Sequence, residues 1–249
     1  AAAWYLTSQK HGISALGLQR VLGLGSYQTA WTMLHRFRRA MVRPDRERLQ
    51  GRVEVDEIDV ELGDRAAPFI AKRLSGKRAT GMLQVVVAVE VHEPSGIGRI
   101  RLRRIPSASQ QYVQPFVADT IDPTAHVHTD GSLLYNFLPR GGYHHHRTVV
   151  TDVVAPRVAT LPAVNRVAAL LKRWLLGTHH GAIQPRQLDY YLDEFVFRFN
   201  RRTSRSRGLL FYRLLEQAVL TGPITYRDVT RLPHQPSDTA DPDPVHDWT

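Results

Sequence analysis

The chain has 249 residues, 43% apolar and 22% charged, which is enough for a packed core and the wrong composition for a collagen-like, coiled-coil or disordered protein. Lys and Arg number 33 against 23 Asp and Glu, a formal charge of +10, and only Lys10, Lys72, Lys77 and Lys172 are lysines; the arginine excess suits phosphate recognition, because a planar guanidinium fork matches two phosphate oxygens. Cysteine is absent, which excludes disulfides, a thiolate nucleophile and a Cys-based zinc site and gives no indication of secretion.

The opening, AAAWYLTSQKHG, has neither the basic flank nor the apolar core of a signal peptide. Trp4, Tyr5 and Leu6 are apolar from the outset, so it reads as the interior of a domain, with further residues expected upstream. No apolar run approaches the roughly 18–20 residues of a membrane span, so a membrane partner is not expected and a cytoplasmic location is. Residues 1–52 carry nine basic and two acidic side chains. Within them, 14–23 and 28–41 read as helices, the first stopped at Gly23 and the second capped by Ser26. Two short helices joined by a tight turn make a helix-turn-helix candidate over 1–50. Thr29, Thr32, Arg36 and Arg39 fall opposite the apolar stripe Trp31, Leu34, Phe37 and Met41, where a recognition helix presents polar groups to DNA. A helical hairpin packed on its neighbours would show the same stripe.

The texture changes abruptly at VEVDEIDVELGD, residues 53–64, with six carboxylates and no base. Strands are expected at 52–62, 82–92 and 98–106, with a loop between the first two; the second is a near-continuous β-branched run, as in a buried strand. A helix at 110–121, a strand at 125–131, a short helix at 132–138 and a strand at 143–150 follow. Helices are then expected at 162–179, 184–202 and 208–220. The cluster Arg198, Arg201, Arg202, Arg205 and Arg207 is the second candidate for contact with a nucleic-acid backbone. Residues 223–249 read as a disordered tail, Pro- and Asp-rich with no Lys or Arg beyond Leu232.

Three strands, helix, strand, helix, strand and helices is the element order of an RNase-H-like α/β core, here assigned to 51–222. In such a sheet the first and fourth strands are neighbours. Asp56, within the first strand among Val53, Val55, Ile58 and Val60, would then meet Asp130, which ends the fourth in HVHTDGS. Two carboxylates held together suit Mg²⁺, which keeps water or phosphate in its other positions. Asn165 is the candidate third ligand, and Lys172, seven residues on, projects from the same helix face toward the phosphate backbone. Two metal ions clamping the attacking and leaving oxygens would permit in-line displacement of a phosphodiester by water and then by a 3′-hydroxyl. Glu57 is given at most a supporting role. His144, His145 and His146 alternate faces on a strand, so only His144 and His146 could share a ligand, and a structural or phosphate-facing role is favoured.

The runs VEVDE, HTDGS, GGYHHH, LLKRWLLGTHHG, LDYYLDEFVFRFNRR and SRGLLFYRLL resemble those of bacterial insertion-sequence transposases of the ISXO-two-like group, a DDE-type family with an RNase-H-like catalytic domain. The similarity spans about 7–222 and includes the helix-turn-helix. It implies Asp56 and Asp130 as the first two catalytic carboxylates, Asn165 at the third position and Lys172 as the associated basic residue. It further implies two Mg²⁺ ions, replaceable by Mn²⁺, double-stranded DNA at element ends and target as substrate, a homo-oligomer on DNA, and a nucleoid-associated location. DDE enzymes more generally carry Glu at the third position, which this group varies among Glu, Asn and His; the neutral amide of Asn165 should hold the second metal more weakly than Glu would. The family's usual zinc ribbon has no counterpart in a chain without cysteine. A DNA-binding derivative with weakened catalysis and an RNase-H-like nuclease without joining activity are the alternatives.

Overall fold

A strand buried on both faces must be apolar at every position, and MLQVVVAVEVH is the clearest such run in the chain. In the computed structural model, which describes residues 1–43, 46–61, 82–94, 96–149, 161–179 and 183–231, it is the strand β2, Met82–His92. It pairs antiparallel with β1, Arg52–Glu61, and with β3, Gly96–Ile105. On the other side of β1 lie the short strands β4, His126–Thr129, and β5, His144–Arg147, both parallel in their pairing. The order β3-β2-β1-β4-β5, with three antiparallel strands followed by two parallel ones, is the RNase-H-like sheet.

Helices cover both faces. Val53, Val55, Val86 and Ala88 pack with Val113, Phe116 and Val117 of the helix Gln110–Thr120, which follows α1–α3 (below) and is α4. Val60, Val85, Val87 and Val89 pack on the other face with Val164, Val167 and Leu171 of α5, Pro162–His179, and with Leu192 and Phe195 of α6, Leu188–Phe199. The period-2 alternation of β1 therefore sends odd-numbered apolar residues to one core and even-numbered ones to the other. The expected loop at 63–81 and the end of the strand expected at 143–150 lie outside the described residues.

Three helices precede the sheet: α1, Ala2–Ser8, α2, Ala15–Leu22, and α3, Tyr27–Ala40. The Ser14 hydroxyl caps α2 by accepting from the Gly17 amide, and Gly23 ends it in the left-handed conformation, φ +63°. Ser26 occupies the N-cap of α3 but makes no side-chain cap bond. The apolar faces of these helices are completed from the far end of the chain, by Phe197 of α6 and Leu214 of α7, Arg207–Leu220. The junction is clamped by charge. Arg38 Nε, 1% exposed, lies 2.8 Å from Glu194 Oε2, and Arg198 Nε lies 2.8 Å from Oε1 of the same buried carboxylate. Arg198 also donates to the carbonyls of Leu6 and Gln9, and Arg38 lies over the Tyr191 ring at 4.1 Å. Gly12, at φ +76°, lies so close that a Cβ there would stand 2.6 Å from Glu194 Oε1.

Part of the expected tail is ordered. Residues Tyr226–Arg231 form α8, because Thr225 and Asp228 make a reciprocal capping box and Val229 and Ile224 pack with Tyr190 and Trp31. Residues 232–249 lie outside the described residues.

Replacing Glu194 by Gln leaves two buried guanidinium groups without their counter-charge. Stability in urea denaturation should fall by about 3–5 kcal/mol, whereas Glu216→Gln, in an exposed pair on α7, should change it by under about 1 kcal/mol.

Candidate active site

Alternation along β1 puts Glu54 and Asp56 on the face covered by α5. Glu54 is fully buried there, and its Oε2 accepts from the backbone amides of Ala163, 2.8 Å, and Val164, 3.1 Å. These are orphan N–H groups of the first turn of α5, so a strand carboxylate supplies the cap, favoured also by the positive end of the helix dipole. Asn165 is the next residue of that helix, half-buried, and Lys172 lies further along it, exposed.

The parallel register pairs Arg52 with His126, Val53 with Val127 and Glu54 with His128. Carried two residues further it brings Asp56 level with Asp130, the first residue beyond β4. The described ladder between the two strands stops before that point, so the two carboxylates stand at the carboxyl end of β4 where its pairing with β1 ends, the usual location of a ligand crevice in an open α/β sheet. Backbone amides orient both: Asp56 Oδ1 accepts from Glu57 N at 2.9 Å, and Asp130 Oδ1 from Ser132 N at 2.9 Å. Burial, and then the charge of Asp130, raise the Asp56 carboxyl to about 6.

Glu57, the next residue of β1, turns to the other face toward Tyr135, yet its charge is coupled to both aspartates. Burial pushes Glu57 up to about 7, moderated by a bond from the Tyr135 hydroxyl to its Oε1 and reinforced by the charges of Asp56 and Asp130. Tyr135 is fully buried, on the single 3-10 turn Leu133–Tyr135, and its own ionisation is strongly suppressed by burial and these neighbours. The alternating acidic strand contained the signal for Glu54 and Glu57; nothing in GSLLYNFL distinguished Tyr135 from an ordinary core residue. Among the described residues no Lys or Arg forms an ion pair with Asp56, Glu57 or Asp130, and no three His, Cys, Asp or Glu side chains gather as a metal site. Carboxylates brought together in this way, with the proton affinity of Asp56 and Glu57 raised and no protein cation beside them, have the donor chemistry that a hard divalent ion takes, its remaining positions going to water and phosphate.

The histidines form rows on the neighbouring strands. His126 stacks on His144 and His128 meets His146, each at 4.8 Å between ring centroids, while His145 faces the other way, its Nε2 2.8 Å from Thr129 Oγ1. Burial, then His146, Arg52 and His145, push His128 down to about 4, so it is neutral at pH 7.

The residues expected to contact DNA divide. Thr29 and Arg36 are exposed and Arg39 half-buried on α3, but Arg36 Nε already donates to the Ile224 carbonyl at 2.9 Å. Thr32 is a correction: it is buried and its hydroxyl bonds the Gln28 carbonyl, because α3 is packed on several sides by other helices and its polar face is partly inside. Arg198 is a second correction, committed to Glu194 and the α1 carbonyls as described. Arg202 stacks on Phe199 and donates to the carbonyls of Ile97 and Gly98, whereas Arg201 stacks on Phe197 and Arg205 is exposed.

An RNase-H-like sheet with aspartates facing each other from β1 and the end of β4 defines the class of protein. A family profile for the ISXO2-like transposase domain matches residues 48–200, and the chain belongs to that family, whose members are enzymes of DNA transposition. No curated protein matches the chain. Among solved structures, a chain of the cryo-EM structure of the simian T-cell lymphotropic virus intasome in complex with PP2A regulatory subunit B56 gamma is 13% identical with a TM-score of 0.34. That alignment covers 79% of this chain, which spans 65% of the other. No described helix is long and apolar enough to cross a membrane.

Raised proton affinities in the folded state mean that Asp56 and Glu57 contribute stability at low pH that is lost as pH rises through about 6 and 7. His128, lowered to about 4, acts in the opposite sense over part of this range, so the carboxylate effect is read by difference: without divalent ions the melting temperature of the wild type minus that of Asp56→Asn should fall from about pH 4 to pH 7, and Mg²⁺ should raise the wild type at pH 7.5 and do little at pH 4.

Proposed function

We propose that the protein is the DDE-type transposase of an insertion sequence, acting as an Asp-Asp-Asn variant that cleaves DNA at the element ends and joins the freed 3′-hydroxyl to target DNA. The observation that carries this reading is the convergence of Asp56 of β1 and Asp130 at the end of β4, with no ion-paired cation among the described residues, in a chain of this family. Asp56, Asp130 and Asn165 would hold two Mg²⁺ or Mn²⁺ ions, which when bound supply Lewis-acid activation of the phosphodiester and of the attacking hydroxyl. Asp56 and Asp130 are aimed by backbone amides. Glu57, pinned by Tyr135, is a proton reservoir beside them with a pKa near neutrality. Glu54 holds the first turn of α5, and with it Asn165. Lys172 meets the DNA backbone from the same helix.

DNA binding is assigned to Thr29, Arg36 and Arg39 of the helix-turn-helix and to Arg201, Arg202 and Arg205 near the end of α6. Transposition joins two ends, so the working species is a homo-oligomer on DNA, in the bacterial cytoplasm at the nucleoid. The neutral amide of Asn165 favours one other reading, a DNA-binding relative with weakened catalysis.

Labelled terminal DNA of the element with Mg²⁺ or Mn²⁺ tests both. Asp56→Asn and Asp130→Asn should each lower cleavage and joining by about a hundredfold or more while leaving DNA binding intact. Asn165→Glu should lower the Mg²⁺ concentration needed for half-maximal product. Equal product from wild type and Asp56→Asn would overturn the enzymatic reading, and cleaved ends without joined product would leave only a nuclease.

A further inference from the structure

The linker between α3 and the sheet carries Arg43, Arg46 and Arg48, and its last residues lie against β3. Arg101 of β3, 5% exposed, donates from Nη2 to the Glu47 carbonyl at 2.7 Å and from Nη1 to the Ile100 carbonyl at 3.0 Å. Arg99 reaches the same segment through the Arg48 carbonyl, 3.0 Å. The charges of Arg46, Arg99 and Arg201 all bear on Arg101, and those of Arg43 and Arg213 bear on Arg201. The guanidinium groups thus run as a row from the linker across β3 to the end of α6 and on to α7.

The described carboxylates nearby are already taken. Glu90 and Glu47 pair with Arg99, and Glu216 pairs with Arg213. Arg43, Arg46, Arg101 and Arg201 form no ion pair among the described residues. Burial and then its cationic neighbours push Arg101 down to about 10, a large displacement for a guanidinium, and burial with Arg43 and Arg213 lowers Arg201. Among the described residues only Glu90, already paired with Arg99, offsets the charge on Arg101, so the gathered guanidinium groups favour an added anion. Two of the groups are also held in place before any ligand arrives, Arg101 by two carbonyls and Arg201 by the Phe197 ring at 4.1 Å and its carbonyl. Arg43 is exposed and Arg46 and Arg201 are half-buried, so their forks keep N–H donors for phosphate oxygens, whereas the buried Arg101 anchors the linker and adds its charge from beneath.

We propose that Arg43, Arg46 and Arg201, set around the buried charge of Arg101, form a track for successive phosphates of a double-stranded DNA backbone, separate from the carboxylate site and from the helix-turn-helix. The row spans three elements, so it fits a chain of phosphates rather than one free anion. Arg101 belongs to the α4 face of the sheet, whereas Asp56 belongs to the α5 face, and two strand spacings, about 10 Å, separate β3 from β1. This inference rests on the DNA partner of the proposed function.

The test is equilibrium binding of a labelled 30-base-pair duplex of arbitrary sequence to the full chain over a range of NaCl concentrations. Arg43→Gln with Arg46→Gln, the first exposed and the second half-buried on the linker, should weaken binding and reduce the slope of log affinity against log salt by about 2, near 0.9 for each phosphate no longer neutralised. Arg101→Gln should weaken binding further, with circular dichroism reporting its fold; the linker variant keeps the test independent of that outcome. Lys10→Gln with Arg140→Gln removes the same charge elsewhere and should change the slope little. An unchanged slope in the linker variant, or an equal drop in the control, overturns the track. Displacement of the duplex by millimolar inorganic phosphate at constant ionic strength would also overturn it, in favour of a single-anion pocket. Failure of the wild type to bind any duplex would overturn the proposed function as well, whereas salt-dependent binding unaffected by the linker variant overturns this inference alone.

Discussion

The bond between Glu54 and the start of α5 is the constraint on which the site depends. A helix packed on a sheet by apolar contacts alone can slide by a fraction of a turn at small cost, because dispersion and burial are not directional. Two amides accepted by one buried carboxylate admit much less freedom. They tie the residue before Asn165 to the strand position two before Asp56, so the amide and the carboxylate sit on elements whose relative placement is set by hydrogen bonds. The same acidic side chain answers a question its sequence raises, namely why so apolar a strand should carry a charge toward its core: burial raises its proton affinity, while the two amides and Arg52 keep the ionised form competitive.

A second device fixes the helices at the start of the chain. Glu194 receives Arg38 from α3 and Arg198 from its own helix, and Arg198 continues to the carbonyls that end α1. The polar network and the apolar contacts with Phe197 and Leu214 make α1–α3 part of the same packed unit as α6 and α7. Reorientation of α3 toward DNA would expose an ion triad as well as apolar surface. Ile224 and α8 lie along the side of α3 that carries Arg36, whose Nε donates to the Ile224 carbonyl, while Thr29 stays exposed.

Much of this architecture was legible because periodicity is a strong signal where one face is buried. The three long strands, the helix 110–121 and the helices from 162 onward follow the apolar pattern to within a few residues at most of their ends, and the pairing of Asp56 with Asp130 follows once strand order is known. What escaped was the destination of individual polar groups. Thr32 and Arg198 have the composition of a solvated face, and only the chain's return from residues 190–230 puts that face inside. Arg101 sits in an alternating arginine strand, GRIRLRR, whose sequence does not say which guanidinium lacks a carboxylate. Residues 226–231 were obscured by the acidic, proline-rich stretch that follows them, although T-x-x-D is a recognisable helix start.

The outer strand of the sheet has its own solution to an open edge. Asn200 accepts from the Ile100 amide at 2.8 Å and returns a donor to the Ile100 carbonyl at 3.2 Å, and Arg202 occupies the carbonyls of Ile97 and Gly98. These two side chains reproduce the bonding of a sixth strand without supplying one. A β-ribbon from a second molecule, or from a nascent copy still folding, finds those backbone positions already saturated and flanked by arginine charge, so edge-to-edge stacking into aggregates is discouraged by residues that would otherwise be taken for contacts with solvent.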